Sequence, residues 1–167
     1  GEPNSAVREA EYIPISFVTG CALYFYPELL DEQGHLLTER FFFGEEDFEL
    51  SLRMKEQGVK MACVLDSLIY HKVGATVGRS QGVSKYYMHY LNRAIDVRLH
   101  FKPLKLWLWQ ILNMPFVLRC FYQSTRNVSL VCKLYKQLLY DAKRKDEVTQ
   151  EDFNRLVLEH NYFTFNV

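Results

Sequence analysis

Four carboxylates occupy five consecutive positions of this chain: Glu45, Glu46, Asp47 and Glu49. They follow the aromatic run Phe41-Phe42-Phe43 and the turn residue Gly44. An aromatic run belongs in a core, so some of these acids should sit at its rim rather than out in water. Like charges crowded there raise the pKa of at least one of them, unless a cation is shared. Such a cluster suits general-base work or a divalent metal. The same residues also read as a solvated helix start, because acids at a helix N-terminus complement the macrodipole. His71 closes the apolar run Leu68-Ile69-Tyr70 and precedes Lys72-Val73-Gly74. Alone it reads as structural, and it gains a role only if another site residue is spaced to meet it. His35, His89, His100 and His160 show no ligand spacing. A hydrolytic metal site generally needs three or more protein ligands, which argues against a metal-dependent hydrolase.

The elements that must position these residues fall into two kinds. Ile13–Tyr26 is mostly apolar and β-prone, and it predicts one or two buried strands with Gly20 at a close backbone approach. Pro27 can open a short helix that Gly34 would end. After Gly44 the spacing predicts a helix to Gln57, closed by Gly58, with Glu49 and Arg53 as an i,i+4 ion pair. Val59–Leu65 and Leu68–His71 read as two short strands. Beyond Gly82, three helices are expected over Lys85–Phe101, Leu104–Gln123 and Val128–Lys145. Thr149-Gln150-Glu151-Asp152 resembles a capping box opening a last helix to about His160. Tyr86, Tyr87 and Tyr90 read as helix-packing aromatics, with a sugar-stacking platform as the other reading.

Several of these residues together carry a resemblance. Thr19-Gly20-Cys21-Ala22-Leu23, Phe41-Phe42, Glu46-Asp47-Phe48-Glu49-Leu50-Ser51-Leu52-Arg53, Gly58 and His71-Lys72-Val73-Gly74 are similar to the second half of a family 2 glycosyltransferase. The nearest likeness is to rhamnosyltransferase-like and galactofuranosyltransferase-like enzymes of bacterial polysaccharide synthesis. It covers residues 13–78. Lys85-Tyr86-Tyr87 with Asn92-Arg93 resembles a Tyr-rich stretch that often follows the catalytic portion in that family.

The resemblance implies an α/β fold, the C-terminal part of a GT-A nucleotide-sugar transferase, over residues 1–78. A mostly α-helical, basic region over 79–167 follows it. It implies that Asp47 is the catalytic base, taking the proton from the acceptor hydroxyl in a single inverting displacement, with Glu46 beside it orienting the acceptor or tuning the base. Thr19, Gly20 and Glu45 would contact substrate, Gly20 by close approach near the donor sugar. His71 would complete a Mg²⁺ or Mn²⁺ site on the donor diphosphate, and Arg53 with Glu49 would brace the helix. The implied partners are a nucleotide-sugar donor and a glycan or lipid-linked glycan acceptor.

This sequence departs from the family pattern at Glu49, where Asp is usual, and at Leu65, often proline. The Gly34–Glu39 segment also differs, being a residue longer and lacking the usual Asp. These leave acceptor choice open. No Asp-x-Asp motif or Gly-rich phosphate loop precedes the matching region. The resemblance therefore implies the acceptor-and-base portion of a longer enzyme, inactive in isolation, an expectation to which a chain starting at Gly1 rather than Met conforms.

Composition and charge bound the alternatives. At 167 residues, 49% hydrophobic and 15% aromatic, the chain is neither disordered nor of low complexity. Its net charge of zero hides a strong asymmetry. Residues 1–58 hold 12 acids and 4 bases, residues 79–145 hold 13 bases and 2 acids, and residues 146–167 hold 5 acids and 1 base. The basic, apolar stretch Leu104–Leu118 carries Trp107 and Trp109 and is too short to span a bilayer. It fits a helix lying on an anionic membrane surface, or simple helix packing. Apolar residues are too dense among the bases for a nucleic-acid face. The four cysteines form no CxxC pair and read as reduced core or interface residues. The cysteines predict a cytoplasmic protein, and the resemblance implies a place peripheral on the inner face of the cytoplasmic membrane, with self-association through the apolar edges that a detached half of an enzyme exposes. The alternative to an enzyme is a non-enzymatic helical interaction or membrane-surface module.

Overall fold

A computed structural model describes residues 11–20, 22–67, 69–70 and 82–155. The chain divides into two units, Gly1–Thr38 with Glu46–Thr76, and Glu39–Glu45 with Val77–Val167. Each is taken by itself below.

In the first unit, strand β1 (Tyr12–Ile15) pairs antiparallel with β2 (Met61–Val64), Tyr12 opposite Val64 and Ile15 opposite Met61. Both strands of a two-stranded sheet are edges, so Pro14 is tolerated in β1 despite its missing N–H. The buried strands expected over Ile13–Tyr26 reduce to this one short strand with its residues exposed or half-buried. The reason is the partner: β2 is four residues long and is paired with Tyr12–Ile15, and among the described residues no strand pairs with those of 17–26. Tyr24 is accordingly 96% exposed. Of the strand expected over Leu68–His71, Ile69 and Tyr70 carry no regular structure, and the other two residues lie outside the described set. Pro27–Leu29 forms a single 3₁₀ turn.

Helix α1 (Glu46–Glu56) places Glu46, Asp47 and Glu49 in its first turn and Arg53 and Lys55 in its last, both complementing the dipole. It buries Leu50, Ser51 and Met54. Its end is a Schellman motif: the Val59 amide donates to the Met54 carbonyl and Gly58 to Lys55. That motif needs a left-handed residue, and Gly58 supplies φ +73°.

The second unit is helical. Helices α2 (Val83–His100), α3 (Pro103–Thr125) and α4 (Val128–Arg144) each pack on the other two, and a single turn, α5 (Gln150–Phe153), follows. The three long helices expected match α2, α3 and α4 within about two residues at each end, while of the last one, expected to about His160, Gln150–Phe153 is helical and the residues beyond 155 lie outside the described set. Tyr87, Leu91 and Ile95 of α2, Phe121 of α3, and Leu134 and Leu138 of α4 build the core. Tyr87 stacks on Phe121 at 6.1 Å and Tyr90 meets the same ring edge-on, so two of the tyrosines pack as expected. Pro103 starts α3 where its missing N–H costs nothing. Asn127 caps α4, its side-chain oxygen accepting from the Leu130 amide at 3.1 Å. The Thr149/Asp152 capping box is present, and Lys145 binds the Asp152 carboxylate at 2.8 Å.

Residues 39–45 belong to this helical unit rather than to the one their neighbours in sequence occupy. Phe41 is buried in the helical core, and the chain beside it bridges to Val148 (Phe42 amide to Val148 carbonyl 2.9 Å, Val148 amide to Arg40 carbonyl 2.7 Å). Phe42 and Phe43 remain partly exposed and lean on the Phe153 ring. The cysteines depart from expectation. Cys63 and Cys132 face solvent and Cys120 is half-buried, because a narrow two-stranded ribbon and the outer side of α4 have nothing to bury them. Cys21 lies outside the described residues. No described helix is long and apolar enough to cross a membrane.

Candidate functional site

The four clustered carboxylates are sorted by the structure into two kinds. Glu45 is 5% exposed in the helical unit. Its carboxylate is bound by the Arg93 guanidinium, with His89 Nδ1 3.9 Å from its other oxygen. Partial burial, and then the charges of Arg93 and Lys85, hold the His89 imidazole below its usual pKa. The backbone there is unusual, Gly44 at φ +73° and Glu45 at φ +81°. Asn92 fixes it by donating from Nδ2 to the carbonyls of Phe43 (3.0 Å) and Gly44 (3.4 Å). A left-handed glutamate is strained, and these side-chain bonds over-determine it. Glu45, expected on the substrate, is thus placed as a buried anchor of its own segment.

Glu49 is likewise partnered. Arg53 reaches it at 3.0 and 3.3 Å and also donates to the Leu36 carbonyl at 2.6 Å, which ties the preceding loop to α1. The bracing role expected of this pair matches its geometry.

Glu46 and Asp47 differ. One Glu46 oxygen, Oε2, is buried with no hydrogen-bond partner among the described residues. The half-buried Asp47 carboxylate takes no hydrogen bond from any described residue. These two acids stand side by side in the first turn of α1.

The chain just before Thr19-Gly20 is held to the same helix. Ser51 Oγ donates to the Asp47 carbonyl at 2.7 Å and accepts from the Val18 amide at 3.0 Å. The Phe17 and Phe48 rings meet at 6.0 Å. Thr19 and Gly20, the next residues along, are exposed. A Cβ on Gly20 would meet no protein atom within 4 Å, so packing within the chain does not require a glycine there. The structure therefore ties Val18, next to Thr19-Gly20, to the helix that carries Glu46 and Asp47, whereas Glu45 belongs to the helical unit. His71 lies outside the described residues. Among those residues no three His, Cys, Asp or Glu side chains gather to hold a cation.

Three participants escaped the sequence reading of the site: Ser51, Asn92 and Arg93. A serine inside a helix, four residues after an acid, invites back-bonding to the i−4 carbonyl, so Ser51 could have been suspected. Asn92 and Arg93 bond to residues almost fifty positions away, a pairing no local pattern reveals.

Comparison with protein-family models, with curated proteins and with solved structures finds no match for the chain.

Proposed function

We propose that the chain is the acceptor-and-base portion of an inverting glycosyltransferase of the family 2 kind, with a GT-A fold completed by a donor-binding half. The observation that carries this reading is the sorting of the carboxylates. Two are engaged by arginines, whereas one Glu46 oxygen and the Asp47 carboxylate take no hydrogen bond from any described residue, and the Val18 amide just before Thr19-Gly20 binds Ser51 of the same helix. Glu46 and Asp47 are the two acids to which the family resemblance assigns chemistry.

In this reading the Asp47 carboxylate accepts the proton of the acceptor hydroxyl while that oxygen bonds to the anomeric carbon of the donor. The carbon–oxygen bond to the diphosphate breaks, and its electron pair leaves with the nucleoside diphosphate. Glu46, beside Asp47, orients the acceptor or tunes the base. Thr19 and Gly20 form the wall against which the sugars lie, and positioning supplies much of the remaining acceleration. A divalent cation, when bound with the donor, neutralises the leaving diphosphate. His71 is the residue the resemblance offers to it. The acceptor is a glycan, free or lipid-linked, met at the cytoplasmic side of a membrane.

The test is release of nucleoside diphosphate from nucleotide sugars in the presence of glycan acceptors. The 167-residue chain alone is expected to give none. A polypeptide with a donor-binding half ahead of Gly1 is expected to turn over, and Asp47→Asn should lower its kcat by about 10²–10⁴-fold with little change in KM. Full activity in Asp47→Asn would remove the proposed base.

A further inference from the structure

Helix α3 turns a long apolar face to solvent. Leu104, Trp107, Leu108, Ile111, Leu112 and Phe116 are all exposed, Leu104 and Leu112 by 71% and 75%. At 3.6 residues per turn these six lie within about half of the helix circumference and run about 18 Å along it. Its other side carries Val117 and Phe121, which are buried in the helical unit. A stripe of this size on one element is not the scatter of single apolar residues that any surface carries.

The charges around it select the partner. Between Val83 and Lys145 the only acids are Asp96 and Asp141, and both are buried, 0% and 2% exposed. The outward surface of α2, α3 and α4 therefore shows bases and no acid. Lys105 and Arg119 share the arc of the apolar stripe, and Lys102 and Arg126 stand at the two ends of α3. A second copy docked by the same face would set these cations against their own kind. An anionic bilayer satisfies both features, since acyl chains take the apolar side chains and headgroups take the bases. An exposed tryptophan with flanking lysines is suited to that depth.

We propose that α3 is a docking helix that lies in the headgroup region of an anionic lipid surface. Trp107, Leu108, Ile111 and Leu112 enter the acyl boundary, and Lys102, Lys105 and Arg119 contact the phosphates. This stands on the exposed face and its charges, and it does not depend on the transferase reading.

The experiment is co-sedimentation of the 167-residue chain with vesicles of phosphatidylcholine alone or mixed with phosphatidylglycerol, at low and high salt. Tryptophan emission is read in parallel with brominated lipid. Binding is expected only to the anionic vesicles and should weaken as salt screens the bases. Emission should shift to the blue and be quenched by bromine. Leu108→Ser with Leu112→Ser should lower the partition coefficient at least about tenfold. Lys105→Ala should lower it about fivefold on anionic vesicles. All three positions are exposed, and unchanged helical circular dichroism certifies the fold. Absence of binding to anionic vesicles, or binding indifferent to the double substitution, overturns the proposal. A dimer in light scattering that the double substitution dissociates, without lipid binding, overturns it too and gives the face to a second copy.

Discussion

At the scale of single residues, the contrast between Glu45 and Asp47 is one of partners. Two positions apart and of similar chemistry, they differ because a guanidinium from α2 reaches the first and no described group reaches the second. Removing that guanidinium leaves a buried carboxylate whose neighbourhood was built around a cation. Arg93→Ala should therefore destabilise the protein by about 2–4 kcal/mol, within the lower reach of broken buried pairs because Arg93 keeps some contact with water. Arg93→Lys should recover part of the loss. A urea midpoint unchanged by Arg93→Ala would show that other contacts of Glu45 suffice.

At the scale of elements, the helix ends are where local chemistry decides most. Gly58 sits at φ +73° with open space around it, so only the backbone conformation demands glycine there. Gly58→Ala should cost about 1–2 kcal/mol, the penalty of a left-handed L-residue, with no loss from packing. Thermal unfolding measures it, and a neutral substitution would mean the Schellman turn rearranges at no cost. Helix limits were legible in the sequence because caps, prolines and glycines act within a few residues: the Thr149/Asp152 box stands where it was expected, and Pro103 and Asn127 stand at the starts of α3 and α4. Strands were not, because β pairing depends on a partner far along the chain. The described residues of the β-prone stretch 17–26 join no strand among the described residues, since β2 is taken by Tyr12–Ile15.

At the scale of the whole molecule, the charge asymmetry of the sequence is sharpened by burial, which hides Asp96 and Asp141 beneath a surface of bases. Hiding Asp141 has a consequence for acid stability. Burial raises its pKa, opposed by the Tyr87 hydroxyl at 2.6 Å, the Gln137 amide at 2.8 Å and the Lys145 charge, with the Asp152 charge adding to the rise. A raised folded-state pKa means that the native protein holds this proton to higher pH than the unfolded chain. Stability is then lost as pH climbs from the ordinary carboxylate value through the raised one, and the loss is complete above it. Asp141→Asn lacks this slope. The stability of the wild type relative to Asp141→Asn should thus decline on going from about pH 4 toward neutrality. Urea unfolding across that range measures the difference, and a rise with pH would contradict the assignment.

The sequence by itself determined the helices of residues 83–153, the acid-rich start of α1, the Glu49–Arg53 brace and the basic stretch between the acidic ends. Each of these rests on interactions spanning a few residues or on composition. Tertiary structure alone decided which carboxylates the arginines claim and which take no hydrogen bond from a described residue. It also decided that residues 39–45 join the helices, and that the apolar side of α3 faces outward. Those outcomes depend on side chains meeting across dozens of positions, such as Arg93 on Glu45 and Ser51 on Val18. Chain topology sets such encounters, and no short-range pattern encodes them.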